Sequence, residues 1–300
     1  MRVLSWGPLG LLPLLLAQTL QLSAQQVDRR FAIDPDASIR IMTPAGSLRV
    51  VGWDRDTVQI TGVVPRASSL FAGGSGAAGK MGVEPFTETA DSRRVTLEVR
   101  VPRAARVWVK TISAEVLVSG LIGEVDLVGV TSPLTVIGSP GVLTAETMDG
   151  RIRVEGTGGW GVVRVRTGSG PIDLVGAEPG ASSAGGDVTA TSVGGAITVS
   201  LDRVARARLE SVSGAVTFRG SLQPTGALEM ESHGGHVLVE FRGAVDAEFE
   251  LSAVNGRIVN RIAKMTPDAG LGGAPVRFVT GKGTGQVTIR TFKGTITIGN

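Results

Sequence analysis

The sequence predicts an all-β protein of one domain, built as a β-solenoid: a β-helix-like stack of roughly 20-residue coils, expected to be right-handed. Three observations lead there. A short frame recurs ten times, with two alternating apolar residues, then Ser or Thr, then Gly three places on, then two more alternating apolar residues, as in Val163, Val165, Thr167, Gly170, Ile172 and Leu174. Its anchors, taken as position zero, are Gly46, Ala114, Ser132, Gly150, Gly170, Gly195, Gly214, Gly235, Gly256 and Gly294, and from Ala114 to Gly256 they are spaced 18, 18, 20, 25, 19, 21 and 21 residues. The composition, with 43 Gly and no apolar period of 3.6, suits strands and tight turns. A period near twenty in which no unit can bury its own apolar face calls for stacking on neighbours. The alternative reading is an antiparallel β-meander or sandwich.

Each part of the frame has a structural use. With Ala counted as apolar, Asn260 is the only polar residue at offsets minus seven, minus five, plus two and plus four. Period two on both sides of the anchor gives two strands with one buried face each. Gly at zero offers a positive φ or a close backbone approach. The minus-three hydroxyls, absent only at Gly129 and Ala253, form an expected ladder closing the turn.

In chain order, residues 1–24 read as a signal peptide: Arg2 is the basic end, Leu11–Leu16 lies in the apolar stretch, and Leu22-Ser23-Ala24 precedes the cleavage point. The chain is therefore expected to be exported to the periplasm, cell envelope or medium, with no transmembrane segment after cleavage. With no Cys it forms no disulfides. Residues 25–110 supply N-terminal strands around a long mobile loop at 67–92, which holds the Gly-rich run Phe71–Gly79. Residues 111–262 are the regular coils, with an insertion at Gly176–Gly186, and Ala114 and Ser132 mark the coils expected to be irregular. Residues 263–300 provide a loop and three strands that read as a terminal cap, which a stack needs at its open edge.

These stretches carry a resemblance. Gly46-Ser-Leu-Arg-Val-Val-Gly-Trp-Asp-Arg-Asp-Thr-Val, Val99-Arg-Val-Pro-Arg-Ala-Ala-Arg-Val-Trp-Val and the serial Ser/Thr-x-x-Gly-x-Ile/Val-x-Val units resemble the bacterial putative-adhesin family of uncharacterised β-strand repeat proteins, named for a domain of unknown function. The resemblance covers nearly all of 35–300. It implies a β-helix-like fold, a place at the cell envelope, an adhesive or scaffolding role and no catalytic residues.

The free positions are where function is expected. Without the leader, Lys and Arg fall from 30 to 29 against 27 acidic residues, a net of +2, and no basic run with interleaved aromatics suggests nucleic acid. If successive frames stack, Glu210 lies over Glu231 and Glu229 over Glu250, a patch for a cation or partner. His233 and His236 flank a turn and read as surface residues. Trp108 falls on the outer face and is expected to pack beneath 67–92. Gly156–Gly161 matches G-x-G-x-x-G but has no following helix to bind a pyrophosphate. No catalytic residue, cofactor or metal is expected. The reading is a non-enzymatic, adhesin-like surface for an envelope protein or glycan. A self-assembling structural protein is the alternative, and a carbohydrate-active enzyme a lesser one.

Overall fold

The structure, a computed structural model, describes residues 24–159, 161–176, 185–262 and 274–300. The predicted leader apart from Ala24, Trp160, residues 177–184 of the insertion and 263–273 of the predicted loop lie outside them.

The described chain is all-β, with one short 3-10 turn at Ser92–Arg94 and no α-helix. Its strands are β1 (Gln25–Ala32), β2 (Ser38–Thr43), β3 (Ser47–Trp53), β4 (Thr57–Val64), β5 (Ser69–Ser75), β6 (Ala78–Glu84), β7 (Thr96–Pro102), β8 (Arg106–Thr111), β9 (Glu115–Ser119), β10 (Glu124–Val128), β11 (Leu134–Ile137) and β12 (Val142–Thr147). There follow β13 (Ile152–Glu155), β14 (Val162–Thr167), β15 (Ile172–Val175), β16 (Gly185–Ser192), β17 (Ile197–Ser211), β18 (Val216–Ser232), β19 (Val237–Phe241), β20 (Ala247–Ala253), β21 (Arg257–Asn260), β22 (Val276–Thr280), β23 (Gly285–Thr291) and β24 (Thr295–Gly299).

Strands that precede an anchor pair with one another, and so do strands that follow one. In the first set β2, β8, β10, β12, β14, β16 and the later halves of β17 and β18 run parallel in that order. In the second the order is β3, β9, β11, β13, β15, the earlier halves of β17 and β18, then β19. Equal offsets meet: Val125 faces Leu143, Leu143 faces Val163, and Val163 faces Val188. Inward side chains such as Ile172, Leu174, Val237 and Val239 are fully buried in a single core. Each contributes about 1.5–3 kcal/mol on burial.

The turn chemistry resolves both columns left open by the sequence. Ser192, Ser211 and Ser232 Oγ accept from the amides of Gly195, Gly214 and Gly235 at 2.8, 2.9 and 2.9 Å. Ser232 Oγ also donates to the Gly214 carbonyl of the neighbouring coil at 3.0 Å. The glycines are needed for close approach: a Cβ on Gly170, Gly195 or Gly214 would stand 1.9, 1.8 or 2.1 Å from the preceding anchor's carbonyl oxygen. Gly46 alone among the anchors adds a positive φ, +92°. The frames anchored at Ala114 and Ser132 keep an unbroken register, against expectation. Ser132 and Gly129 have exchanged positions; a Cβ on Gly129 would lie 2.8 Å from that of Ser132, so one of the pair must be glycine. The irregularity falls instead between Leu201 and Arg206, where Arg203 has φ +52°.

Three further expectations are corrected. Residues 67–92 are not one long loop: β5 and β6 form an antiparallel hairpin, and β6 pairs with β2. Two of the glycines there are strand positions crowded by side chains, Gly79 by Ile33 and Phe31 and Gly82 by Phe71, while Gly76, with φ +53°, makes the turn. Secondly, the last strands do not cap the stack. β23 lies between β18 and β20, and β24 between β19 and β21, so the frame at Gly294 sits between those at Gly235 and Gly256. Only β22 lies outside, antiparallel on β20. Thirdly, Glu229 and Glu250 are consequently not neighbours, since Thr288 stands between them. Antiparallel pairs also close the other end, where β1 joins β4 and β4 joins β7.

Candidate functional site

In the frames from Ala114 onward, the turn between the minus-three position and the anchor leaves the minus-two residue outside the core. The backbones pair frame to frame: Val130 N donates to Ile112 O at 3.2 Å, Met148 N to Val130 O at 2.9 Å, Gly168 N to Met148 O at 2.8 Å and Val193 N to Gly168 O at 3.1 Å. This ladder begins at a buried Pro44, whose carbonyl accepts from Ile112 N at 3.0 Å, and lines up the remaining minus-two residues along one corner in the order Ile112, Val130, Met148, Gly168, Val193, Val212, His233, Phe292, Val254. A solvent-facing turn would ordinarily be polar, yet Met148 is 61% exposed, Val193 59% and Val212 52%. His233 stacks on Phe292, ring centroids 4.7 Å apart and planes 10° from parallel.

One corner residue lacks a side chain. At Gly168 the ridge drops into a groove whose floor is Gly168, whose ends are Met148 and Val193, and whose rims carry Glu146, Arg166, Asp149 and Ser169. Gly168 is held to glycine by a Cβ position 2.7 Å from Met148 O. On one rim Ser169 Oγ donates to Asp149 Oδ1 at 2.6 Å. On the other, Glu146 and Arg166 are paired in register, both exposed.

The outward face beside this ridge carries charges of both signs, in the register order Lys110, Val128, Glu146, Arg166, Thr191, Glu210 and Glu231. Asp126, between Trp108 and Thr144 in register, has its carboxyl pushed above the ordinary 3.8 by burial first, then by Glu146 and Glu124. Its Oδ1 has no hydrogen-bond partner among the described residues. Trp108 is half-buried with Arg40 as its other strand neighbour. From the 67–92 stretch it is Phe86 that reaches this face, under the Lys110 ammonium at 5.8 Å.

The predicted acidic patch is split and neutralised. Glu210 and Glu231 are neighbours as expected, but Arg208 pairs with Glu210 at 2.5 Å and with Glu229 at 3.2 Å. Glu250 pairs with Arg277 at 3.0 Å and Arg290 at 3.8 Å, and Arg290 also stands beside Glu231 in register. Among the described residues no group of three or more His, Cys, Asp or Glu is placed to share a metal. His233 belongs to the ridge, whereas His236 Nδ1 accepts from Thr295 N at 3.1 Å. The G-x-G-x-x-G segment joins β13 to β14. The ridge itself is a signal that the frame contained, because offset minus two reads Pro, Ile, Val, Met, Gly, Val, Val, His, Val and Phe in chain order, mostly apolar where a turn needs no apolar residue.

No family model matches the chain, and no curated protein matches it. Among solved structures it is similar to a putative cell adhesion protein from Clostridium sporogenes, at 9% identity and a TM-score of 0.20, covering 92% of this chain and 99% of that one. It is also similar to a putative adhesin from Bacteroides fragilis, at 10% identity and a TM-score of 0.44, covering 92% and 98%. Among the described residues no helix is long and apolar enough to cross a membrane.

Proposed function

We propose that this chain is an exported, non-enzymatic, adhesin-like β-solenoid that presents a binding or scaffolding surface at the bacterial cell envelope to a glycan or an envelope protein. The two parallel columns are read as two faces of the solenoid, and the leader-like residues 1–24 support export. One observation carries the functional reading. The Gly, Ser/Thr and apolar columns of the frame are consumed by stacking, while the outward columns hold polar side chains in register, Arg164 and Arg166 beside Thr189 and Thr191, these beside Arg208 and Glu210, and these beside Glu229 and Glu231. A repeated, rigid surface suits recognition of a repeated or extended partner.

The test is an array of glycans and of envelope and matrix proteins probed with residues 25–300. Saturable binding to one class is expected, weakened by Arg164→Glu on the outward face. No binder in either class would overturn the reading. The second reading, a self-assembling structural protein, is favoured by the strand edges: among the described residues nothing pairs with the outer edges of β1, β5, β21 or β22. Filaments that lengthen with concentration under the electron microscope are its signature. A carbohydrate-active enzyme has no supporting group of residues in the arrangement described.

A further inference from the structure

We propose that the corner ridge pairs with the same ridge of a second copy, the two running antiparallel, with Met148 of each copy seated in the notch at Gly168 of the other. Except at Gly168 the ridge from Ile112 to Val212 places a side chain at every strand spacing, about 4.8 Å, and a partner that meets it over many coils must have the same repeat. A second copy has it.

Two-fold symmetry then fixes the register, because if residue i meets j, j meets i. Setting the most exposed corner residue, Met148, against the one corner residue without a side chain, Gly168, places Val130 opposite Val193 and Ile112 opposite Val212. Every corner pair is apolar or fills the notch. The flanking minus-four column is complementary in the same register. Glu146 falls opposite Arg166 and Lys110 opposite Glu210, each pair occurring twice, with Val128 opposite Thr191. Sliding by one coil in either direction sets Arg166 against Arg166 or Glu146 against Glu146, so charge excludes the adjacent registers. Within the described chain neither Glu146 nor Arg166 has an ion-pair partner.

Six coils span about 24 Å. A strip of that length gives an interface at the low end of specific association, so the dimer is expected to form reversibly at micromolar concentrations. The pairing does not depend on what the outward faces bind; it doubles their valency.

Sedimentation equilibrium on residues 25–300 between about 5 and 200 μM tests this. The expected result is a monomer–dimer equilibrium that Met148→Lys and Arg166→Glu each weaken at least tenfold, with thermal unfolding unchanged because both side chains are exposed. The exchange Glu146→Arg with Arg166→Glu is expected to restore dimerisation to within about threefold of the parent. A monomer at every concentration, a dimer indifferent to Met148→Lys, or a double variant no better than Arg166→Glu alone would each overturn the proposal. Loss of dimerisation in Met148→Lys, which lies outside the outward columns, with ligand binding retained, or a dimer that binds no ligand, separates this pairing from the adhesin-like reading.

Discussion

At a glycine in position zero of the frame a methyl group is excluded by the carbonyl oxygen of the preceding anchor, whereas one residue earlier in the same turn there is room. Gly195 and Gly194 separate the two cases. A Cβ on Gly195 would meet Gly170 O at 1.8 Å, and one on Gly194 has nothing nearer than 3.8 Å. Gly195→Ala is expected to cost about 3 kcal/mol in chemical denaturation, because backbone must move. Gly194→Ala should change stability by no more than about 0.5 kcal/mol. Asp126 shows the same dependence on surroundings in its charge. Its folded pKa is raised, so the ionised form costs stability above that pKa, and the cost disappears once the pH falls below the unfolded value of 3.8. Asp126→Asn is therefore expected to raise the melting temperature by about 1 °C at pH 7 and to leave it unchanged at about pH 3.

For a single strand, the question is which face is buried. Ile172→Asp and Val237→Asp put a carboxylate into fully buried positions and are expected to abolish the unfolding transition. Arg151→Asp, just before β13, and Thr198→Asp, on the outward side of β17, should leave it nearly intact, and equal tolerance at both sets would overturn the assigned faces. Strand identity and face were legible in the sequence because each depends on local chemistry: a hydroxyl three residues from a glycine, and apolar residues at period two. Neighbour identity was not. The frames at Gly256 and Gly294 present the same surfaces to the frame at Gly235, so nothing in the residues decides which stacks on it, and Glu229 was assigned to the wrong partner. The strands 69–84 were hidden for a different reason: their glycines mimic a loop in composition while making room for Phe31 and Phe71. The ridge was legible at offset minus two but lay in a turn, where apolar residues are not ordinarily read as informative.

For the whole molecule, the stacking order can be checked directly because the chain has no cysteine of its own. Glu229→Cys with Thr288→Cys joins register neighbours and is expected to form a disulfide on mild oxidation. Glu229→Cys with Glu250→Cys, two strand spacings or about 9.6 Å apart, should stay reduced. A disulfide in the second variant and none in the first would restore the sequential order. The inserted coil also sets the timing of folding. Strands 285–299 follow 247–260 in the chain, so a ribosome releases β20 and β21 before the strands that separate them from β18 and β19 exist. Until residue 299 emerges, four strand edges wait unpaired, and the final stretch of synthesis satisfies all four together. A polypeptide stalled near residue 270 would thus be far stickier than its small shortfall in length suggests.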